Sequence, residues 1–283
     1  MFSKNIGIDL GTATVLVYVQ DRGIVLKEPS VVAIDTNTDE ILKVGKEAQM
    51  MLGRTPGNIQ AIRPLRDGVI SQYEVTLKMI QHVIRYACGN MFFKPNVMIC
   101  IPSGITEVEE RAVVDAATQA GARETHLIEE PLAAALGAGL DISGPSGHMV
   151  VDIGGGTTDI AVVEDGGVEG TKMFSIGGRS FTHQISESLG VDTATAERYK
   201  LDFDSGKLDD RIKAKVETAL SRNLSVWLAG VEVALEEFDI EGSLPRNVLL
   251  CGGGAGLSLL QETVAVSDWY AELPFARRPV IHL

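Results

Sequence analysis

The chain has 283 residues, 45% hydrophobic and 22% charged, which is enough apolar material for one large or two ordinary globular domains. Its formal net charge of −13 argues against a general nucleic-acid surface, because neutralising phosphates takes clustered Lys and Arg, and it weakens purely electrostatic attachment to a membrane. Three scattered cysteines and five scattered histidines form neither a disulfide framework nor a zinc-hydrolase motif. No apolar run reaches the ~18 residues of a membrane span and the start MFSKNIGID lacks a secretory pattern, so a cytoplasmic protein is expected.

The opening KNIGIDLGTATVLVYVQDRGIVLKEPSVVAID predicts a meander of strands, cut by the turn signals Asp9-Leu10-Gly11, Asp21-Arg22-Gly23 and Glu28-Pro29. Helical spacing of Val75, Met79, Ile80, Val83, Ile84 and Ala87 predicts an amphipathic helix from Ser71 to Ala87. Met91-Phe92-Phe93 reads as a loop from its flanks, Gly89-Asn90 and Lys94-Pro95; its three large side chains either stand exposed together or pack into the core. After the apolar strand NVMICIP, the stretch TEVEERAVVDAATQAGA has Thr106 and Glu109 at capping-box spacing, which predicts a helix ending at Gly121. A short strand, THLIEE, leads to Pro131 in the first turn of the helix PLAAALGAGL, where a missing N–H costs nothing. The Gly/Pro/Ser loop ISGPSGH is the best candidate for a boundary, dividing 1–143 from 144–283.

The second half restarts with strands in VVDIGGGTTDIAVVEDGGVEGTKMF, then helical segments at Ser180 to Leu189, Thr193 to Leu201 and about Leu208 to Phe238. NVLLCGGGAGLSLL reads as a buried strand, a triple-glycine turn and a helix start, and the tail ends in a further strand. Strands followed by helices, twice over, define an α/β chain of two similarly built halves.

The halves share a motif. In both IGIDLGTATVLVYV and VVDIGGGTTDIAVV an apolar strand meets an aspartate, a hydrophobic residue and a glycine before a second apolar strand; Asp9-Leu10-Gly11-Thr12 aligns with Asp152-Ile153-Gly154-Gly155 at an offset of 143. One such hairpin would be ordinary turn chemistry, but two at matched strand ends point to a site. Glycines there let backbone N–H groups point outward to an anion such as a polyphosphate. The aspartates would repel phosphate; their natural role is to hold Mg²⁺ through its retained waters. Thr12, Thr157 and Thr158 add hydroxyl donors, and a third glycine turn, Gly252-Gly253-Gly254 after Cys251, suits close approach of a sugar and base. Neither GxxxxGK[ST] nor GxGxxG occurs. Of Glu129-Glu130, ahead of Pro131, one could orient a water for attack on a terminal phosphate; equally, a helix N-terminus favours acidic residues.

At these residues the sequence resembles the actin, heat-shock-chaperone and sugar-kinase ATPase superfamily, and within it the MreB family of bacterial actins. NIGIDLGTAT, KEPSVVAID, VGKEAQMMLGRTP, AIRPLRDGVI, IPSGITEVEERAVVDA, HLIEEPLAAALG and MVVDIGGGTTDIAV all carry the likeness, over more than half the chain. The resemblance implies an actin-like (ribonuclease H-like) duplicated fold, two lobes around ATP and Mg²⁺, with a smaller subdomain at about 33–94. It assigns Asp9, Gly11, Thr12, Ala13 and Thr14 to a first phosphate loop and Asp152, Gly154, Gly155, Gly156 and Thr157 to a second, with both aspartates at the metal. Glu130 matches the water-positioning glutamate, Glu197 and Lys200 of AERYK a nucleoside contact, and Gly252, Gly253 and Gly254 the adenosine turn. It further implies slow ATP hydrolysis, self-assembly into filaments at the inner membrane, partners in wall synthesis and a role in cell shape. Met91, Phe92 and Phe93 match the apolar membrane contact, which gains strength only from many copies in one filament.

The chain departs from the family after AERYK, where LDFDSGKLDD passes almost directly into a long helix in place of a β-rich insertion, leaving a reduced subdomain at about 190–225. It also ends at Leu283 without the family's closing helix. A non-polymerising ATP-binding adaptor of a membrane complex, of the kind PilM- and FtsA-like relatives represent, is therefore the alternative, and a small-molecule kinase a remoter one, since no general-base aspartate for an acceptor stands out.

Overall fold

The computed structural model describes residues 4–283 except 12, 54–56, 67, 68, 71, 90–93, 104, 145, 146 and 239–241. The chain forms two compact units, Met1–Glu130 and Pro131–Leu283.

The first unit opens with the meander β1 (Asn5–Leu10), β2 (Thr14–Val19) and β3 (Gly23–Pro29). There follow β4 (Val32–Asp35), β5 (Ile41–Val44), the one-turn α1 (Lys46–Gln49), β6 (Ile59–Ile62), β7 (Leu65–Arg66), β8 (Val69–Ile70), α2 (Tyr73–Cys88), β9 (Asn96–Ile101), α3 (Glu107–Ala120) and β10 (Glu124–Glu129). A five-stranded sheet has the order β10-β9-β1-β2-β3, with β1, β9 and β10 parallel and β2 antiparallel to both its neighbours. Its strands alternate: Ile6, Ile8, Leu10, Val97, Ile99 and Ile101 enter the core with α2 and α3, while Asn5 and Met98 face outward. Period-two burial of this kind covers one face of a sheet. The expected helix faces are the buried ones, Val75, Met79, Ile80, Val83, Ile84 and Ala87 on α2. Thr106 and Glu109 close the expected capping box on α3, each side chain bonded to the other's backbone N–H. The three-stranded sheet β5-β4-β6 sends Val32 and Ile34 into that same core and covers a second, smaller one of Val31, Ala33 and Ala48.

The second unit takes in most of α4 (Glu130–Gly137), then β11 (His148–Ile153), β12 (Thr158–Glu164), β13 (Gly167–Phe174), α5 (Gly178–Leu189), α6 (Thr193–Asp202), α7 (Asp210–Glu236), β14 (Asn247–Cys251), α8 (Ser258–Val266) and β15 (Val280–His282). Its sheet order, β13-β12-β11-β14-β15, repeats that of the first unit, with β11, β14 and β15 parallel. Here both faces are covered, so β11 is apolar at successive positions: Met149, Val151 and Ile153 pack toward α5, α7 and α8, and Val150 packs with Ala135 of α4. The long α7 anchors the larger core with Leu220, Leu224, Trp227, Val231 and Leu235, each such side chain contributing roughly 1.5–3 kcal/mol by leaving water.

Candidate functional site

Each sheet presents a four-residue loop at the C-terminal end of its first strand. Leu10 pairs with Val15 and Ile153 with Thr158, so Gly11 to Thr14 and Gly154 to Thr157 are equivalent connections. Gly11 leaves no room for a side chain, and Gly154 is tightly placed. A Cβ on Gly11 would lie 2.8 Å from the Thr14 carbonyl oxygen, and one on Gly154 would lie 3.3 Å from that of Thr157, to which the Gly154 N–H donates at 2.9 Å. Neither the Gly155 nor the Gly156 N–H donates to a backbone carbonyl among the described residues. Thr12 lies outside the described residues; the Ala13 carbonyl accepts from the Ser30 N–H at 3.0 Å.

Asp9 stands at the end of β1, directly opposite Cys100 of β9, and Asp152 stands at the end of β11, directly opposite Cys251 of β14. The repeat therefore extends beyond the hairpins: Asn96-Val97-Met98-Ile99-Cys100 and Asn247-Val248-Leu249-Leu250-Cys251 occupy the same strand in the two units. Burial raises the Asp9 carboxyl above its usual range, against the opposing effect of the Gly11 N–H, which stabilises the anion. The Cys100 thiol is pushed up to about 12 by burial and by the negative charges of Asp9 and Glu130. Glu130 is thus a neighbour of the Asp9 end of the sheet. It begins α4 immediately after Glu129 ends β10, the strand-to-helix junction expected from Pro131.

In the second unit the expected adenosine turn lies against the end of β11. Gly252 has φ 82°, and a Cβ there would overlap the Asp152 carboxylate and come within 2.6 Å of the Ile153 carbonyl oxygen. Gly254 is buried on Ile153, while Gly253 has open space around it.

The hydroxyl expected of Thr158 requires correction. Thr158 is fully buried, donates to the Ile176 carbonyl at 2.7 Å and accepts from the Trp227 indole at 2.8 Å, so it belongs to the core. Thr157 donates to Asp159 at 3.0 Å.

Glu197 and Lys200 come together between α5 and α6. Lys200 Nζ lies 2.8 Å from the Glu197 carboxylate and donates to the Gly178 carbonyl at 2.9 Å and to Thr182 Oγ1 at 2.8 Å; Thr182 donates in turn to Glu197. Gly178 connects this cluster to the loop, since its N–H donates to the Gly154 carbonyl at 2.9 Å, and the next N–H, of Arg179, donates to that of Gly155 at 2.8 Å. Gly177 packs on the same backbone: a Cβ there would lie 2.6 Å from the Gly154 carbonyl oxygen. Gly177, Gly178 and Arg179 escape a reading from hairpin motifs. Their signal is a glycine pair between a strand and a helix, Ile176-Gly177-Gly178-Arg179. Met91, Phe92 and Phe93 lie outside the described residues. No group of three or more acidic, His or Cys side chains among the described residues forms a metal cluster.

A sheet of this order built twice in one chain, with an aspartate-glycine hairpin ending each first strand, defines the actin-like class of proteins. The MreB/Mbl protein family profile matches residues 3–204, and the FtsA cell division protein profile matches 149–265. The cell shape-determining protein Mbl of Bacillus subtilis is 42% identical, over 97% of this chain and 93% of its own. The chain belongs to the MreB/Mbl family. A crystal structure of MreB 5 of Spiroplasma citri bound to AMPPNP, 28% identical, superposes with a TM-score of 0.77 over 99% of this chain and 92% of that one. The chain of a MamK double helical filament, 20% identical, shares the fold at a TM-score of 0.70, over 100% of this chain and 94% of its own. The Mbl alignment runs over 309 positions, yet 97% of 283 residues is about 275, so about 35 positions of the relative face gaps here. The family match ends at Asp204, within the seven-residue link 203–209 that joins α6 directly to α7.

Proposed function

We propose that the chain binds Mg-ATP, hydrolyses it slowly and assembles with copies of itself into filaments at the inner membrane, as a cytoplasmic member of a cell-shape system with partners in wall synthesis. The observation that carries the reading is the duplicated hairpin: an aspartate at the end of the first strand, a closely packed glycine opening the turn, and the same strand register in both units.

The donor chemistry suits a metal-bound polyphosphate. Gly155 and Gly156 have N–H groups to offer, and the buried Asp9 carboxyl is a hard oxygen ligand whose charge a cation would compensate. Asp9 and Asp152 would hold Mg²⁺ through the metal's own waters, since a carboxylate in direct contact with phosphate would repel it. Bound Mg²⁺ supplies charge neutralisation across the phosphate oxygens. Gly11 to Thr14 and Gly154 to Thr157 take the phosphates, Glu197, Lys200 and Gly252 to Gly254 the nucleoside, and Glu130 orients the attacking water. Met91, Phe92 and Phe93 meet lipid.

Calorimetric titration with Mg-ATP and a phosphate-release assay test the reading. Asp152→Ala should weaken binding by at least about a hundredfold, consistent with losing a charged partner. Glu130→Gln should bind within a few-fold of the parent yet hydrolyse about 10²–10³ times more slowly. Retained affinity in the first variant, or undiminished turnover in the second, overturns the assigned role.

A further inference from the structure

Arg179 is the second residue of α5, and its guanidinium rests on the second loop: a Cβ on Gly156 would overlap its Nη2 and lie 3.2 Å from its Cζ. The guanidinium makes no hydrogen bond or ion pair with any described residue. Beside it are the Gly155 and Gly156 N–H groups, which meet no backbone acceptor among the described residues. The N-terminal end of α5, 12 residues long, points its positive end at the same loop through the bonds from Gly178 to Gly154 and from Arg179 to Gly155. A planar fork of donors and two backbone donors thus converge where they meet no backbone acceptor among the described residues, in a chain of net charge −13.

We propose that Arg179 binds the terminal phosphate of the bound nucleotide, making this site prefer a nucleoside triphosphate over the diphosphate. The inference rests on the nucleotide reading above. An arginine suits the task because its fixed fork engages two oxygens of one phosphate, where lysine offers a single point charge. Held over the loop by the first turn of α5, it would lose its anion when the terminal phosphate departs, and α5 is tied to α6 through Lys200 and Gly178.

The test measures affinities for fluorescent ATP and ADP analogues with Mg²⁺ for the parent, Arg179→Ala, Arg179→Lys and Asp152→Ala. The expected result is a loss of about ten- to a hundredfold for the triphosphate in Arg179→Ala, with the diphosphate within about twofold and the lysine variant between. Equal losses for both nucleotides, or none, with Asp152→Ala still losing both, would overturn the role of Arg179 and leave the nucleotide site standing. A parent protein that binds neither nucleotide would overturn the nucleotide reading and this inference together. Arg179 is exposed, so circular dichroism should show all variants of it folded alike.

Discussion

Asp9 is a carboxylate that the fold holds at a disadvantage. Burial raises its pKa above the unfolded value, so the folded chain binds more protons than the unfolded one between the ordinary carboxylate range and the raised value. Stability of the nucleotide-free protein therefore falls as pH rises through that window and then levels off. Asp9→Asn removes the ionisable group, and thermal melts should show the variant more stable than the parent at pH 7, the gain shrinking as pH is lowered toward about 4. A variant less stable at pH 7 would contradict this. The same burden suits the proposed role of this carboxylate beside a cation. The aspartates and the first glycine of each loop were readable in the sequence because two copies of one pattern coincide. Arg179 was not, because its part is set by a side chain lying back across Gly156, a contact with no periodicity or motif behind it.

Among the elements, β12, the junction before α5, and α7 meet at one hydroxyl. Thr158 bonds both the Ile176 carbonyl and the Trp227 indole inside the core. Thr158→Val keeps the shape but strands two buried polar groups, and urea unfolding should show a loss of about 2–4 kcal/mol. Adding Trp227→Phe should cost less in that background than alone, since the indole N–H is already unpaired; strictly additive losses would mean the bond is not formed. Helix faces and caps were legible from spacing: α2 buries the side chains its pattern names, and α3 begins at its capping box. The fate of Thr158 was not, since a threonine beside three glycines reads as a loop donor until Trp227, 69 residues away, is brought to it.

At the scale of the whole molecule, copies with a net charge of −13 repel one another, and a screening length near 10 Å at 0.1 M salt governs how closely they can come. Sedimentation with Mg-ATP should therefore recover more assembled protein as salt rises from about 50 to 200 mM. Protein that stays monomeric at high concentration throughout would favour the adaptor reading, for which the short link 203–209 leaves room. The duplicated plan was legible in the sequence as an offset of 143 residues, but the matching cysteines of β9 and β14 were hidden by the unequal lengths of chain that precede them. The equal length of the two hairpin loops has its own consequence. In the second unit, adjacent residues of β12 enter different cores, Ile160 and Val162 on one side of the sheet and Val163 on the other. Gaining or losing one loop residue would shift the strand by half a pleat and send each side chain into its neighbour's core. The two loops differ in residues, TAT in one and GGT in the other, but share one length, and in the second unit that length is tied to the two layers of packing on either side of the sheet.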